Sequence, residues 1–439
     1  MNKFLVKKIA FFTLLIAFFV IATGLLIDAQ GFRFDFKTKQ FVKVGGINVK
    51  SVVSDVNVYV NNEHKGKTNT FSKEILIQKL IPGEYNVKIE KENYYSWEKT
   101  LKVEAQKVTK AESVYLFQKN ITFKVEKENI NNFFLSENKQ DVIYLTNDQE
   151  IIFNNNIILN LSNSKKYFKN INNIEFFPEN KLILIKGKNN LNKNNYYYLD
   201  LTKANVLNKL TFLETATNFY LTKDSIIYQK NQNIIIYSLN TKTSTILRKE
   251  VNLFAFKNDT LYSVENNILI KINNNEETIL SEKEISIKNY KLYIISGKIF
   301  AYDNSSLYLF NNYKKDFELF LKTPQLSYDV LPDKIIFNTG SELWLLLLRD
   351  FESPFFKKAE SLIFLSRVSS KIENITWFNN DYFFYINNNN IFASEIDNRD
   401  NINTIQISEL PITKVWFYDK TLYLLSNDKI YTSSKFNNL

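Results

Sequence analysis

From residue 121 to residue 439 one unit recurs at a spacing of about 40 residues. It reads as an aromatic-rich strand, a polar turn, an apolar strand, an Asn- or Asp-rich turn and a further apolar strand. Copies begin near Asn131, Ile174, Asn218, Leu253, Lys291, Ser327, Ile375 and Thr413. An all-β unit of this length matches one four-stranded blade of a β-propeller. The spacing therefore predicts a propeller of seven or eight blades over 121–439. The copy at Ser327 is irregular, and Ser353–Lys371 after it reads as a long outer hairpin or an inserted loop. The last copy has only three strands, and Ile121–Glu126 is expected to supply the fourth, closing the ring and removing two open edges. A solenoid or a string of sandwiches is the rival arrangement, but solenoid repeats are shorter and glycine-richer, and the whole chain has only 9 Gly.

The N-terminus sets a compartment. Ile9–Ile27 is a run of 19 uncharged residues, about 28 Å as a helix and close to the hydrocarbon thickness of a bilayer. Lys3, Lys7 and Lys8 precede it and Asp28 follows. The positive-inside rule places residues 1–8 in the cytoplasm and the bulk of the chain outside, as a single-pass protein of the cell membrane. A cleaved signal peptide is the alternative. The run is long for one, and Leu25-Leu26-Ile27 stands where small residues would be needed. After it, residues 28–46 alternate aromatic and polar at Phe32, Phe34 and Phe36, as a linker or a first strand.

Residues 47–117 read as a small β-sandwich. Val56, Val58 and Val60 alternate with polar neighbours, as do Ile75 and Ile77, then Tyr85, Val87 and Ile89, and then Trp97, Lys99, Leu101 and Val103, before Val114 and Leu116. Turns are expected at Asn61-Asn62, at Lys65-Gly66-Lys67 and, as type II, at Pro82-Gly83. The segments Ser54–Asn62, Gly66-Lys67-Thr68, Leu80–Val87 and Asn93–Trp97 resemble the PEGA domain family in order and spacing. The sequence departs from the family pattern at Val53–Val56, where the name-giving motif would stand, and at Asn62 and Asn93, which replace glycines at turn positions. Asn tolerates the positive φ such positions need. The resemblance implies a non-catalytic, surface-exposed β-domain of envelope proteins and supplies no active site.

The chemistry available to this chain is narrow. It has no Cys, one His (His64) and one Met, which excludes disulfides, thiolate metal sites and cysteine nucleophiles. His64 has no second imidazole to work with and is read as an exposed turn residue. Neither a metal nor a cofactor is expected. The net charge of +10 comes from diffuse Lys, 51 against 5 Arg, interleaved with 46 acids. AT-rich codons account for that bias, and no nucleic-acid partner is expected. The repeats lack the Gly-His and Trp-Asp pairs of WD40 blades and the Asp-box of sialidase-like blades.

Trp97, Trp377 and Trp416 are the candidate ligand contacts, because aromatic faces stack on sugar rings. The competing reading is that the repeat needs a large aromatic between blades. Trp344 is expected in the core. The runs Asn154–Asn156, Asn273–Asn275 and Asn387–Asn390 read as tight positive-φ turns. The expected function is a membrane-anchored, non-catalytic scaffold that presents the propeller to an envelope protein or cell-wall polysaccharide, with the sandwich as spacer. The alternative is a carbohydrate-active enzyme working with Asp and Glu alone. A sensor or assembly factor would need a partner in the membrane, since so short a cytoplasmic tail has nothing to signal with.

Overall fold

The computed structural model describes residues 3–160, 167–202, 206–274, 276–281 and 290–436, without the side chains of residues 3–6 and 180. One long helix, Lys3–Ala29, opens the chain. From Lys7 its mean hydropathy is 2.6 and its apolar span is not buried against the rest of the chain, so it is long and apolar enough to cross a bilayer. The hairpin Phe32–Asp35/Gln40–Lys43 follows directly. Phe36, expected to continue the strand, lies in its turn.

The next module is a sandwich of two sheets. Gly45–Ser51 pairs antiparallel with Glu74–Leu80 and parallel with Val108–Val114. The facing sheet runs Glu63–Lys67, Asn57–Val60, Gly83–Glu90, Trp97–Val103. Alternate residues meet between them: Ile47, Val49, Val58, Val87, Ile89 and Leu101 are all buried. Two expected turns are absent. Lys65-Gly66-Lys67 is strand, paired with Asn57-Val58 across a bulge, so His64 sits exposed on a strand with its ring against Tyr59. Pro82-Gly83 is not type II, since Gly83 keeps a negative φ. The strands on either side of it belong to different sheets, so the chain turns a corner there instead of forming a hairpin. Asn62 and Asn93 do take positive φ, at 65° and 64°.

Eight four-stranded antiparallel sheets follow among the described residues. Their first strands are Ile130–Leu135, Asn170–Phe176, Asn218–Leu221, Val251–Lys257, Lys291–Ile295, Ser327–Leu331, Ile372–Trp377 and Lys414–Tyr418, in blades one to eight. Each lies within a few residues of a repeat start read from the sequence. First strands of neighbouring blades pack against one another at most junctions, most extensively between blades four and five and blades six and seven. Blade eight takes its outermost strand, Phe123–Glu128, from the segment after the sandwich; it pairs with Lys429–Ser433, and a Lys429–Glu128 ion pair of 2.7 Å sits at the end of the ladder. The insert in blade six lies between Glu342–Leu347 and Leu362–Arg367, the third and fourth strands.

Many hairpins turn on two residues that both have positive φ. Asn154-Asn155, Asn231-Gln232, Asn258-Asp259, Asn266-Asn267, Asn388-Asn389, Asp419-Lys420 and Asn427-Asp428 all do so. Mirror-image turns of this kind match the right-handed twist of the strands, and Asn adopts them at little cost. Asn274 follows the pattern with φ 47°; Asn275 lies outside the described residues.

Candidate functional site

In a four-stranded meander the first and third turns leave on one face of the ring, and the second turn leaves on the other. The sandwich docks on the first-and-third-turn face. The third turn of blade seven grips the strand Trp97–Val103: Asp400 accepts from the Thr100 amide at 2.7 Å, and Asn403 donates to the Glu98 carbonyl at 3.1 Å. At the centre of this contact Lys99 Nζ meets Glu395 Oε1 at 2.8 Å, with both side chains almost wholly buried. Lys99 also donates to the Asp397 and Asn401 carbonyls at 2.6 and 3.2 Å. Glu395 accepts from the Trp97 indole at 2.7 Å and from the Asn403 amide at 2.9 Å. Burial pushes the Glu395 carboxyl up, against the pull of Lys99. Beside this network Tyr115 and Phe117 pack on Phe378, Tyr382 and Phe436. From the blade-six insert, Ser353 donates to Glu112 at 2.6 Å. The two modules are therefore joined by a buried polar and aromatic interface.

The three candidate tryptophans are all buried. Trp97 is spent on Glu395. Trp377 donates from its indole to the Asp329 carbonyl at 3.2 Å, and its amide donates to the Asp329 carboxylate at 2.8 Å. Trp416 lies between Phe133, at 4.3 Å, and Tyr423, stacked at 4.2 Å. None presents a ring face to solvent; Trp377 and Trp416 fasten one blade to the next. Trp344, expected in the core, is half-buried on a blade surface, bonded to Glu342 and edge-on to Phe364.

The concave site lies elsewhere, in the central channel. A cavity of about 420 Å³ opens on the same face as the sandwich, at the ends of the first strands of blades two to six. Its wall is aromatic: Phe176, Phe219, Tyr220, Phe256, Tyr293 and Tyr328. Asn218, Glu175, Glu137 and Lys257 add polar groups. The first turn of blade one straps across the ring. Glu137 pairs with Lys257 of blade four, while Lys139 bonds Asp329 of blade six at 2.6 Å and Thr376 of blade seven at 3.3 Å. Two carboxylates of the channel are thus neutralised by lysines. Glu175 accepts from Asn173 at 2.7 Å, and burial pushes its carboxyl up. Tyr220 donates to the Leu292 carbonyl at 3.1 Å, and burial holds its phenol near about 12. Between blades eight and one, burial lowers Lys414 to about 8; its ammonium rests 4.5 Å from the centre of the Phe133 ring. Among the described residues no three acidic or imidazole side chains gather as a metal site would need.

The raised Glu175 carboxyl has a consequence for stability. A carboxyl raised on folding supports the fold below its ordinary value of 4.5, and that support is lost as pH climbs through the raised value. Glu175→Gln is expected to leave the melting temperature unchanged near pH 4 and to raise it near pH 8. Equal shifts at both values would show that the charge of Glu175 is not the cause.

Which aromatic and acidic residues converge here depends on the phase of every blade, which a strand pattern alone does not supply. A usable signal was the end of each first strand: Glu137 and Pro178 lie two residues past theirs and Lys257 is the last residue of its own, and all three reach the channel.

A family model for the PEGA domain matches residues 44–116. That segment is a PEGA domain. It includes every strand of the sandwich and makes the docking face for blade seven. No curated protein matches the chain. Solved structures similar to it include the C-terminal WD40 domain of Sif2, at 11% identity and TM-score 0.44, covering 73% of this chain and 99% of that one. BamB from Moraxella catarrhalis is similar at 10% identity and TM-score 0.39, covering 72% and 97%. The designed Ika8 protein is similar at 10% identity and TM-score 0.43, covering 71% and 98%. At these values the likenesses say nothing about function. The blades themselves establish a propeller joined to a PEGA domain.

Proposed function

We propose that the chain is a non-catalytic, single-pass protein of the cell envelope that binds cell-wall polysaccharide at the channel mouth beside the PEGA domain. The observation that carries this reading is the aromatic-walled cavity, whose lining combines six or more rings with a few hydrogen-bonding groups. Its volume falls in the range of small-ligand sites, and aromatic faces with a few placed polar groups suit a sugar chain. The long, solvent-facing apolar helix supports anchoring, and a PEGA domain next to it supports an extracytoplasmic location. Release of the protein by alkaline extraction would remove the anchor.

Full-length protein in nanodiscs is expected to bind solubilised wall glycan. Tyr328→Ala, which removes a ring from the cavity wall, is expected to weaken binding roughly tenfold, the equivalent of ~1.4 kcal/mol. Unchanged affinity would put the ligand elsewhere, and capture of an envelope protein in place of glycan would replace the polysaccharide. The carboxylate-enzyme reading rests on Glu175, the one raised acid in the cavity. Hydrolysis with two carboxylates needs a second free one, and Glu137 is engaged by Lys257. Release of reducing ends from the glycan by the purified protein would favour the enzyme.

A further inference from the structure

Two residues beyond the apolar helix, the hairpin Phe32–Asp35/Gln40–Lys43 carries two phenylalanine rings packed on a third, Phe34, and open to solvent. Phe34 stands opposite Phe41 in the ladder, with ring centres 5.3 Å apart, and Phe36 in the turn meets Phe34 at 5.2 Å. Phe36 is 84% exposed, Phe41 57% and Phe34 38%. A cluster of this kind is not needed for the hairpin, whose turn is already held by Asp35, accepting from the Lys37 amide at 2.9 Å and the Thr38 hydroxyl at 2.8 Å. Arg33, Lys37, Lys39 and Lys43 belong to the same hairpin, with Asp35 as its single acid. The hairpin is also fixed in place. Asp28 at the helix end pairs with Lys79, and Arg33 donates to the Lys79 carbonyl at 3.0 Å, so the cluster stays within a few residues of the point where the helix ends.

We infer that this hairpin is a second membrane contact, with Phe34, Phe36 and Phe41 seated at the headgroup–acyl boundary of the leaflet where the helix ends, and its lysines among anionic lipid headgroups. Aromatic rings with cations on the same segment favour that layer, and a short segment joined to a spanning helix has no distance to travel to reach it. The inference rests on the anchored reading. It goes beyond it in setting the height and tilt of the PEGA domain above the bilayer, since the helix end, hairpin and Lys79 form one contact.

The absence of native cysteine makes the test direct. Lys37→Cys, Leu14→Cys and Tyr313→Cys are each labelled with a nitroxide in the full chain, reconstituted in vesicles of phosphatidylcholine and phosphatidylglycerol. Collision with oxygen, enriched in lipid, is compared with collision with a water-soluble nickel chelate. The Leu14 label is expected in the hydrocarbon, the Tyr313 label in water and the Lys37 label at the interface. Adding Phe36→Ser and Phe41→Ser to the Lys37→Cys protein is expected to move its label toward water. A Lys37 label as open to nickel as the Tyr313 label, with Leu14 still in hydrocarbon, overturns the hairpin contact alone. A Leu14 label in water overturns the anchor and the hairpin contact with it.

Discussion

Lys99→Met is expected to destabilise the protein by about 3–5 kcal/mol, the usual cost of removing one partner of a buried ion pair. The substitution keeps most of the apolar stem but leaves the Glu395 carboxylate and two carbonyls without the ammonium that satisfied them. The loss is expected to shrink in acid. Burial already raises Glu395, so without Lys99 the carboxyl takes up its proton at a still higher pH. Below its ordinary value both the folded and unfolded chains are protonated, and the penalty fades. Lys99→Met with Glu395→Gln is expected to recover part of the loss, because Gln leaves no charge behind and its one carbonyl oxygen still accepts from either the Trp97 indole or Asn403. Urea denaturation of the single and double variants at neutral and acidic pH measures each part. Strictly additive losses would mean that the two residues do not act as a pair.

The second large effect is expected at Trp416. Trp416→Ala opens a void between Phe133 and Tyr423, at the junction of the last blade with the first, and is expected to cost about 3–5 kcal/mol. Trp344→Ala, at a half-buried position, is expected to cost less than Trp416→Ala. Denaturation midpoints and glycan binding measured together separate the roles. A Trp416→Ala protein of unchanged stability that no longer binds glycan would show a ligand contact instead of an inter-blade wedge.

These residues also show what the sequence can and cannot convey. Local periodicity carries the blades, because each strand's alternation and each Asn-Asn or Asn-Asp turn is written within a few residues. Even ring closure was legible, since a three-stranded final copy leaves an edge that Phe123–Glu128 is placed to cover. The turn at Lys65-Gly66-Lys67 was misread because glycine between lysines resembles a loop, whereas here it accompanies a bulge inside a strand. The docking of the PEGA domain on blade seven joins residues about 300 positions apart, and no window of sequence spans that. One trace of it was present: Lys99 stands in register with Trp97, Leu101 and Val103, the inward face of its strand. A lysine at such a position needs a buried partner. The channel was less visible still, because its residues come in groups of one to four from six blades.

The strand that closes the ring also imposes an order in time. Phe123–Glu128 emerges from the ribosome some 300 residues before Lys429–Ser433, its ladder partner among the described residues. At roughly 5–20 residues per second it waits on the order of 15–60 seconds. Through that interval it is an unpaired edge, tethered to a PEGA domain whose own strands are already complete. Its sequence suits the wait: Lys124, Glu126, Lys127 and Glu128 leave only Phe123 and Val125 apolar, and charge on an open edge discourages pairing with the wrong strand.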